Sequence, residues 1–251
     1  VKKANPKRII VAEAAAIGCD TLECFKVSGI EAVANEEGVE LRDIKRDKDL
    51  VKVAVRDFKS NIDYVMLPKF LLEADHLINL PILKAHASMV FSGALKNIKG
   101  VVQDKVHMQM HQKNLTMAMM DVWSVCRADI NIMDAMHAAS GYSPHMPVPI
   151  DTDMILGSKD PVAIDRVACE VTGIDTSSVD YFRVAEETGL GNYSMDMIDV
   201  VGDSIEDCYK KMWIPYIGDM STRWPEYDVR CQGACSSCQA LLAINMEELK
   251  A

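Results

Sequence analysis

Three thiols stand close together near the end of the chain, Cys231, Cys235 and Cys238, in a C-x3-C-x2-C run with Gly233, Ser236 and Ser237 between them. Thiolates so spaced can converge on one ion or cluster, and the small residues let the loop turn around it. A [4Fe–4S] cluster takes four cysteine sulfurs and structural zinc takes four nitrogen or sulfur ligands, but only three are local here. The fourth position falls to Cys208, a more distant Cys or His, an outside ligand, or nothing. An iron left open there could take substrate. Radical S-adenosylmethionine enzymes share the spacing, but near the start of a barrel. Here Cys238 lies 13 residues from the C-terminus, behind an α/β region, which argues against that chemistry. We expect an iron–sulfur cluster, [4Fe–4S] in type, with zinc as the alternative metal and a cystine or plain thiols as the metal-free reading.

A second group is cationic. Leu80-Pro81-Ile82-Leu83-Lys84-Ala85-His86 is followed by Phe91-Ser92-Gly93-Ala94-Leu95-Lys96-Asn97-Ile98-Lys99-Gly100. Ligands of open α/β sheets sit beyond the carboxyl ends of strands, where this segment is expected to lie. Lys84, Lys96 and Lys99 would make such a crevice positive and attract a small anionic substrate, with Ser92 and loop amides as donors. His86 has the type for acid, base or ligand. The plain alternative is surface lysines and a hydrogen-bonded histidine at a strand end.

His107 and His111 are four apart and would share one helix face, able to pinch a metal or simply to form a partly exposed polar face. Met108 follows the first histidine where a zinc protease has Glu. Asp134 closes an apolar run ahead of a Gly/Pro-rich stretch and is a catalytic or ligand candidate, with His137 or His145 to complete a site. Asp160 has a sufficient structural task as a helix N-cap before Pro161. Met108, Met110, Met117, Met119 and Met120 read as core filler.

The elements that must position these groups alternate in kind. We expect strands at 8–12 and 39–44 around a helix over Thr21–Asn35 closed by Gly38, giving a parallel crossover unit. An antiparallel hairpin is expected over 51–70, and a central strand over Ala74–Pro81. Lys84–Gly100 should be a loop passing into a helix or turn. Then come a helix over 115–126, a strand at 130–136, a loop over 137–150 and a strand at 153–158. Helices over 160–173 and 180–188 and a last strand over Ile198–Gly202 complete the domain. The fold class is α/β, a mixed, mainly parallel sheet flanked by helices, with residues 1–203 as the domain and 204–251 as a C-terminal cysteine-containing, metal-binding appendage.

Bulk properties narrow the function. The 251 residues carry 27 basic and 37 acidic side chains, a net charge of −10. Such a surface repels phosphate backbones, so we expect no nucleic acid as partner. No apolar stretch reaches the ~20 residues of a membrane span, so no membrane partner is expected. No leader pattern precedes the first strand, and eight cysteines in that setting favour reduced thiols and a cytoplasmic location. A start at Val1 leads us to expect a missing upstream segment.

The runs "ADHLINLPILKAH", "GALKNIKGVV", "INIMDAM", "GSKDPVAIDRVACEVTGID" and "GLGNYSMDMIDVVGD", in this order, resemble the domain-of-unknown-function 362 family over roughly residues 5–205. The resemblance implies a bacterial or archaeal protein of a kind often fused to ferredoxin-type modules, and hence redox or cluster chemistry. Its pattern residues fall here on Lys84, His86, Gly93, Lys96, Asn97, Gly100, Asp134, Asp160 and Asp165. The family's usual first strand and helix are not found before Val1, and the tail has three clustered cysteines instead of a full ferredoxin repeat. The His86, Gly93 and Lys96 neighbourhood also resembles, more faintly, the N-terminal domain of nickel-pincer lactate racemases.

Three functions are open on this reading. The first is a cluster-dependent oxidoreductase in which Lys84, His86, Lys96 and Asn97, with Asp134, act on a small anionic substrate. The second is a non-catalytic iron–sulfur or zinc protein serving a redox partner as electron carrier or assembly factor. The third is a racemase- or isomerase-like enzyme with a structural metal tail.

Overall fold

A computed structural model describes residues 1–55, 60, 62–87, 89–112, 114–144, 146–214, 224, 226–230 and 236–249. The chain opens with β1 (Ile10–Glu13), two helices, α1 (Thr21–Val27) and α2 (Ile30–Glu37), and β2 (Glu40–Asp43), which pairs parallel with β1. Asp20 caps α1 by accepting from the amides of Leu22 and Glu23. The single helix expected over Thr21–Asn35 is broken, because Gly29 takes φ +78 and turns the chain between α1 and α2.

Strands β3 (Leu50–Ala54) and β4 (Tyr64–Pro68) form the expected antiparallel hairpin, and the short α3 (Lys69–Leu72) follows it. The largest sheet holds β5 (Ile78–Asn79), β6 (Ile82–His86), β7 (Val90–Ser92), β8 (Ile130–Tyr142) and β9 (Met146–Ser158). Strand β8 pairs parallel with β5 and β6 and antiparallel with β9, while β7 pairs antiparallel with β6. The architecture is α/β with mixed sheets.

The central position falls differently from expectation. Only Ile78 and Asn79 of the 74–81 segment pair with β8, and Pro81 ends the run, having no N–H to give a ladder. Strand β6 is flanked by β7 and β8, so Lys84 and His86 lie within a strand and not in a loop beyond one. Leu83 and Ala85 between them are fully buried. Residues 137–150 are not a loop either. Residues 137–142 continue β8 and 146–150 open β9, with a register shift between Ala135 and His137. Gly141 belongs in this strand because the Trp213 ring lies over it: a Cβ there would stand 2.5 Å from the ring. Pro147 and Pro149 are tolerated because β9 lies at the sheet margin. Residues 198–202 join no sheet, and Val201 is 89% exposed.

The main core lies between this sheet and the helices α4 (Ala94–Asn97), α6 (Leu115–Val125), α7 (Pro161–Thr172) and α8 (Asp180–Glu187). Met110, on α5 (Asp104–Gln112), is buried there with Met119 and Met120 of α6, the apolar filling expected of them. Asp160 caps α7 through the amides of Val162 and Ala163 at 2.7 and 3.1 Å.

Described parts of the tail beyond 203 lie against this body. After α9 (Ile205–Cys208), the amides of Lys210 and Met212 donate to the carbonyls of Val171 and Thr172 at the end of α7. Trp224 and the last helix, α10 (Ser236–Glu248), add Ala243, Ile244 and Met246 to a second buried cluster with Ala87 and Tyr142. Ala87 directly follows His86. Among the described residues no helix is long and apolar enough to cross a membrane.

Candidate anion-binding site

Lys96 sits on a helix of only four residues, too short to hold itself together. Three buried polar side chains latch it. Asp165 of α7 accepts the amides of Ala94 at 2.5 Å and Leu95 at 3.0 Å, satisfying the free N–H groups of the first turn. Trp123 of α6 donates its indole N–H to the Leu95 carbonyl at 2.8 Å. Asn79 of β5 donates to the Ala94 carbonyl at 3.0 Å and to Asn131 Oδ1 at 2.9 Å, and its own Oδ1 accepts from Asn97 Nδ2 at 2.8 Å. Gly93 makes the Asp165 latch possible. A Cβ there would fall 2.8 Å from Asp165 Cγ and from Met133 Cε, and closer still to Oδ1.

Around this fixed helix the cations gather. Lys84 and His86 come from β6, which β7 reverses into α4. Lys99 follows in the 3-10 turn Ile98–Val101, and α5 brings His107 and His111. Lys99 Nζ lies 3.0 Å from His111 Nε2, and the Lys99 carbonyl accepts from His107 Nε2 at 2.5 Å. Lys84 donates to the Ile82 carbonyl at 3.1 Å.

Each group bears the mark of a crowded, desolvated positive site. Burial drives Lys96 well below the ordinary lysine range, and the charges of Lys99 and Lys84 push the same way. Burial lowers Lys99 to about 8. Lys84 is lowered by burial, against the pull of Glu13 and Asp165. His86 falls well below its usual value through burial, then through Lys96, Lys99, Lys84 and His111. His107 and His111 both drop to about 4, again by burial first and Lys99 next. On the acid side, burial raises Glu13, though the Ala14 amide at 2.9 Å and Lys84 oppose it. Burial takes Asp165 up to about 7 against its two amide bonds and Lys84.

The structure thus unites Lys84, His86, Lys96 and Lys99, all expected in one crevice. Asn97 is turned toward Asn79 and serves the latch. Asp134 pairs in register with Ile82, two places before Lys84; it is exposed and its Oδ1 accepts the Met136 amide at 3.0 Å. His137 stands at the surface against Asp151, 2.7 Å away, and His145 lies outside the described residues. His107 is buried, contrary to the partly exposed face expected, because α5 packs that side onto the Lys99 turn. Glu13, Asn79 and Trp123 were not singled out in the sequence. Cys208 is half-buried on α9 and Cys238 exposed on α10. Cys231 and Cys235 lie outside the described residues, so the fit of a cluster to this donor set rests on spacing alone. Among the described residues no group of three or more His, Cys, Asp or Glu is arranged to hold a metal.

Residues 1–170 match the family model described as "Domain of unknown function (DUF362)". The chain is also similar to a thylakoid-associated protein of Synechocystis sp., 25% identical over 136 residues. That alignment takes in 52% of this chain and 42% of the relative, so the chain spans less than half of the length of the protein it matches.

Proposed function

This chain belongs to the domain of unknown function 362 family, and from that premise we propose that its Lys84, His86, Lys96 and Lys99 cluster binds a small anionic substrate. The observation that carries the reading is the charge balance of the site. Three lysines and three imidazoles share a largely desolvated region with the carboxylates of Glu13 and Asp165, and Asp165 is engaged by the amides of α4. Among the described residues no carboxylate is one of the charges that act on Lys96 and Lys99. Holding them so is unfavourable in the empty protein, and an anion would relieve the cost. In a chain of net charge −10 this is a local inversion of sign.

The finer reading is a redox or cluster-dependent enzyme. Cys231, Cys235 and Cys238, with Cys208 as candidate fourth ligand, are its proposed seat for an iron–sulfur cluster, zinc being the alternative. Their spacing supports this, and so does the docking of α10 on Ala87, next to His86. Bound there, a cluster would supply electrons or a Lewis-acidic iron. The work of the described residues is separate: Lys84, Lys96 and Lys99 bind the anion, and neutral His86 and His111 stand ready to move a proton.

Calorimetric titration with oxalate and with phosphate at low ionic strength tests the anion site. Binding should weaken at least tenfold in Lys96→Ala and in His86→Ala, while both variants stay folded by circular dichroism. Equal affinity in the wild type and both variants would remove the proposal.

A further inference from the structure

The three lysines of the cluster are not equivalent. Lys84 is bonded to the Ile82 carbonyl and feels two carboxylates. Lys99 is bonded to His111. Lys96 has neither kind of support. Among the described residues no hydrogen bond or ion pair holds its amine, and the charges acting on it, Lys99 and Lys84, are both positive. The short helix that carries it is nevertheless latched at Ala94 and Leu95 by Asp165, Trp123 and Asn79. A desolvated amine beside other cations gives up its proton easily and becomes a nucleophile toward carbonyl carbon. A fixed backbone keeps that nucleophile in place.

We propose that Lys96 condenses with the carbonyl of a small 2-oxo acid whose carboxylate is held by Lys84 and Lys99. The inference rests on the anion-site reading and names the substrate class for it. The neutral Nζ attacks the carbonyl carbon, a C–N bond forms, and the carbonyl oxygen takes up a proton to give a carbinolamine. The C–O bond then breaks and the oxygen leaves as water. The nitrogen loses its two original protons over the sequence and the oxygen gains two, so amine plus ketone gives imine plus water, with no change of oxidation state. Neutral His86 and His111, both near enough to Lys96 to be depressed by its protonated form, are the groups able to carry those protons. The imine so formed is an electron sink for chemistry at the neighbouring carbon.

The test uses the full chain with pyruvate at neutral pH, followed by borohydride reduction, intact mass measurement and peptide mapping. Oxalate binding to the same preparation is measured by calorimetry. The expected result is a gain of one pyruvic acid less one oxygen atom, mapped to Lys96 at least tenfold above any other lysine and suppressed by excess oxalate. If oxalate binds but no adduct forms, or label spreads over other lysines regardless of oxalate, the inference fails and the anion site stands. If neither oxalate nor pyruvate engages the protein, both readings fall.

Discussion

Gly93→Ala should destabilise this protein far more than a methyl group on a short helix would elsewhere. The new Cβ would meet Asp165 Cγ and Met133 Cε at 2.8 Å, inside van der Waals contact, and would crowd Oδ1 more severely. Met133 can shift its flexible end. Asp165 cannot stay, because its carboxylate occupies the space and both its oxygens are engaged with the Ala94 and Leu95 amides. Hydrogen bonds to charged groups contribute about 1.5–3 kcal/mol each, so loss of both predicts about 3–6 kcal/mol. For a chain of this size each kcal/mol lowers Tm by about 2–4 °C, giving a fall of roughly 6–24 °C. Urea unfolding of wild type, Gly93→Ala, Asp165→Ala and the double variant measures this as a cycle. Because Gly93→Ala acts through Asp165, its cost should shrink by at least 2 kcal/mol once Asp165 is already Ala. Additive costs, or a Gly93→Ala penalty under about 1 kcal/mol, would refute the latch.

Three other outcomes follow from the same geometry. Buried His107 titrates at about 4 in the fold against 6.5 unfolded, so its contribution is intact above pH 6.5 and is lost as pH falls toward 4. Urea midpoints should show about 2 kcal/mol less stability at pH 5 than at pH 7 from this group, and His107→Asn should flatten that slope. Asn79→Ala strands the Asn97 amide, the Ala94 carbonyl and Asn131 Oδ1 inside the protein, and a loss of about 2–4 kcal/mol is expected by the same unfolding assay. Trp224→Ala hollows the contact between α10 and Ala87, costing about 3–5 kcal/mol, and limited proteolysis should then release the tail while the main core resists.

Much of the scaffold could be read from the chain because its cues are local. Asp160-Pro161 announces α7, Gly38 and Gly173 close helices in the left-handed conformation, and the 51–70 segment declares its hairpin. Cues that conflict locally misled. Lys84 and His86 put ionisable groups on one face of β6, so that strand looks like the start of a loop, and Pro147, Pro149 and Gly141 disguise the β8–β9 hairpin. The cations of the site were legible as residue types close in sequence. Their fixation was not, because Asn79, Trp123 and Asp165 reach α4 from 15, 28 and 71 residues away. His107 and His111 looked like a helix face of their own until α5 was packed against the Lys99 turn.

Those separations also order events as the polypeptide collapses. Since closing long loops delays the contacts they carry, hairpins such as β3–β4 come first. The short turn bearing Lys96 is pinned only after α6 and α7 have docked on the sheet. Positive charge is therefore concentrated last, when the surrounding structure can bear it. A chain halted partway through assembly has the same lysines without the latch that fixes the helix carrying Lys96.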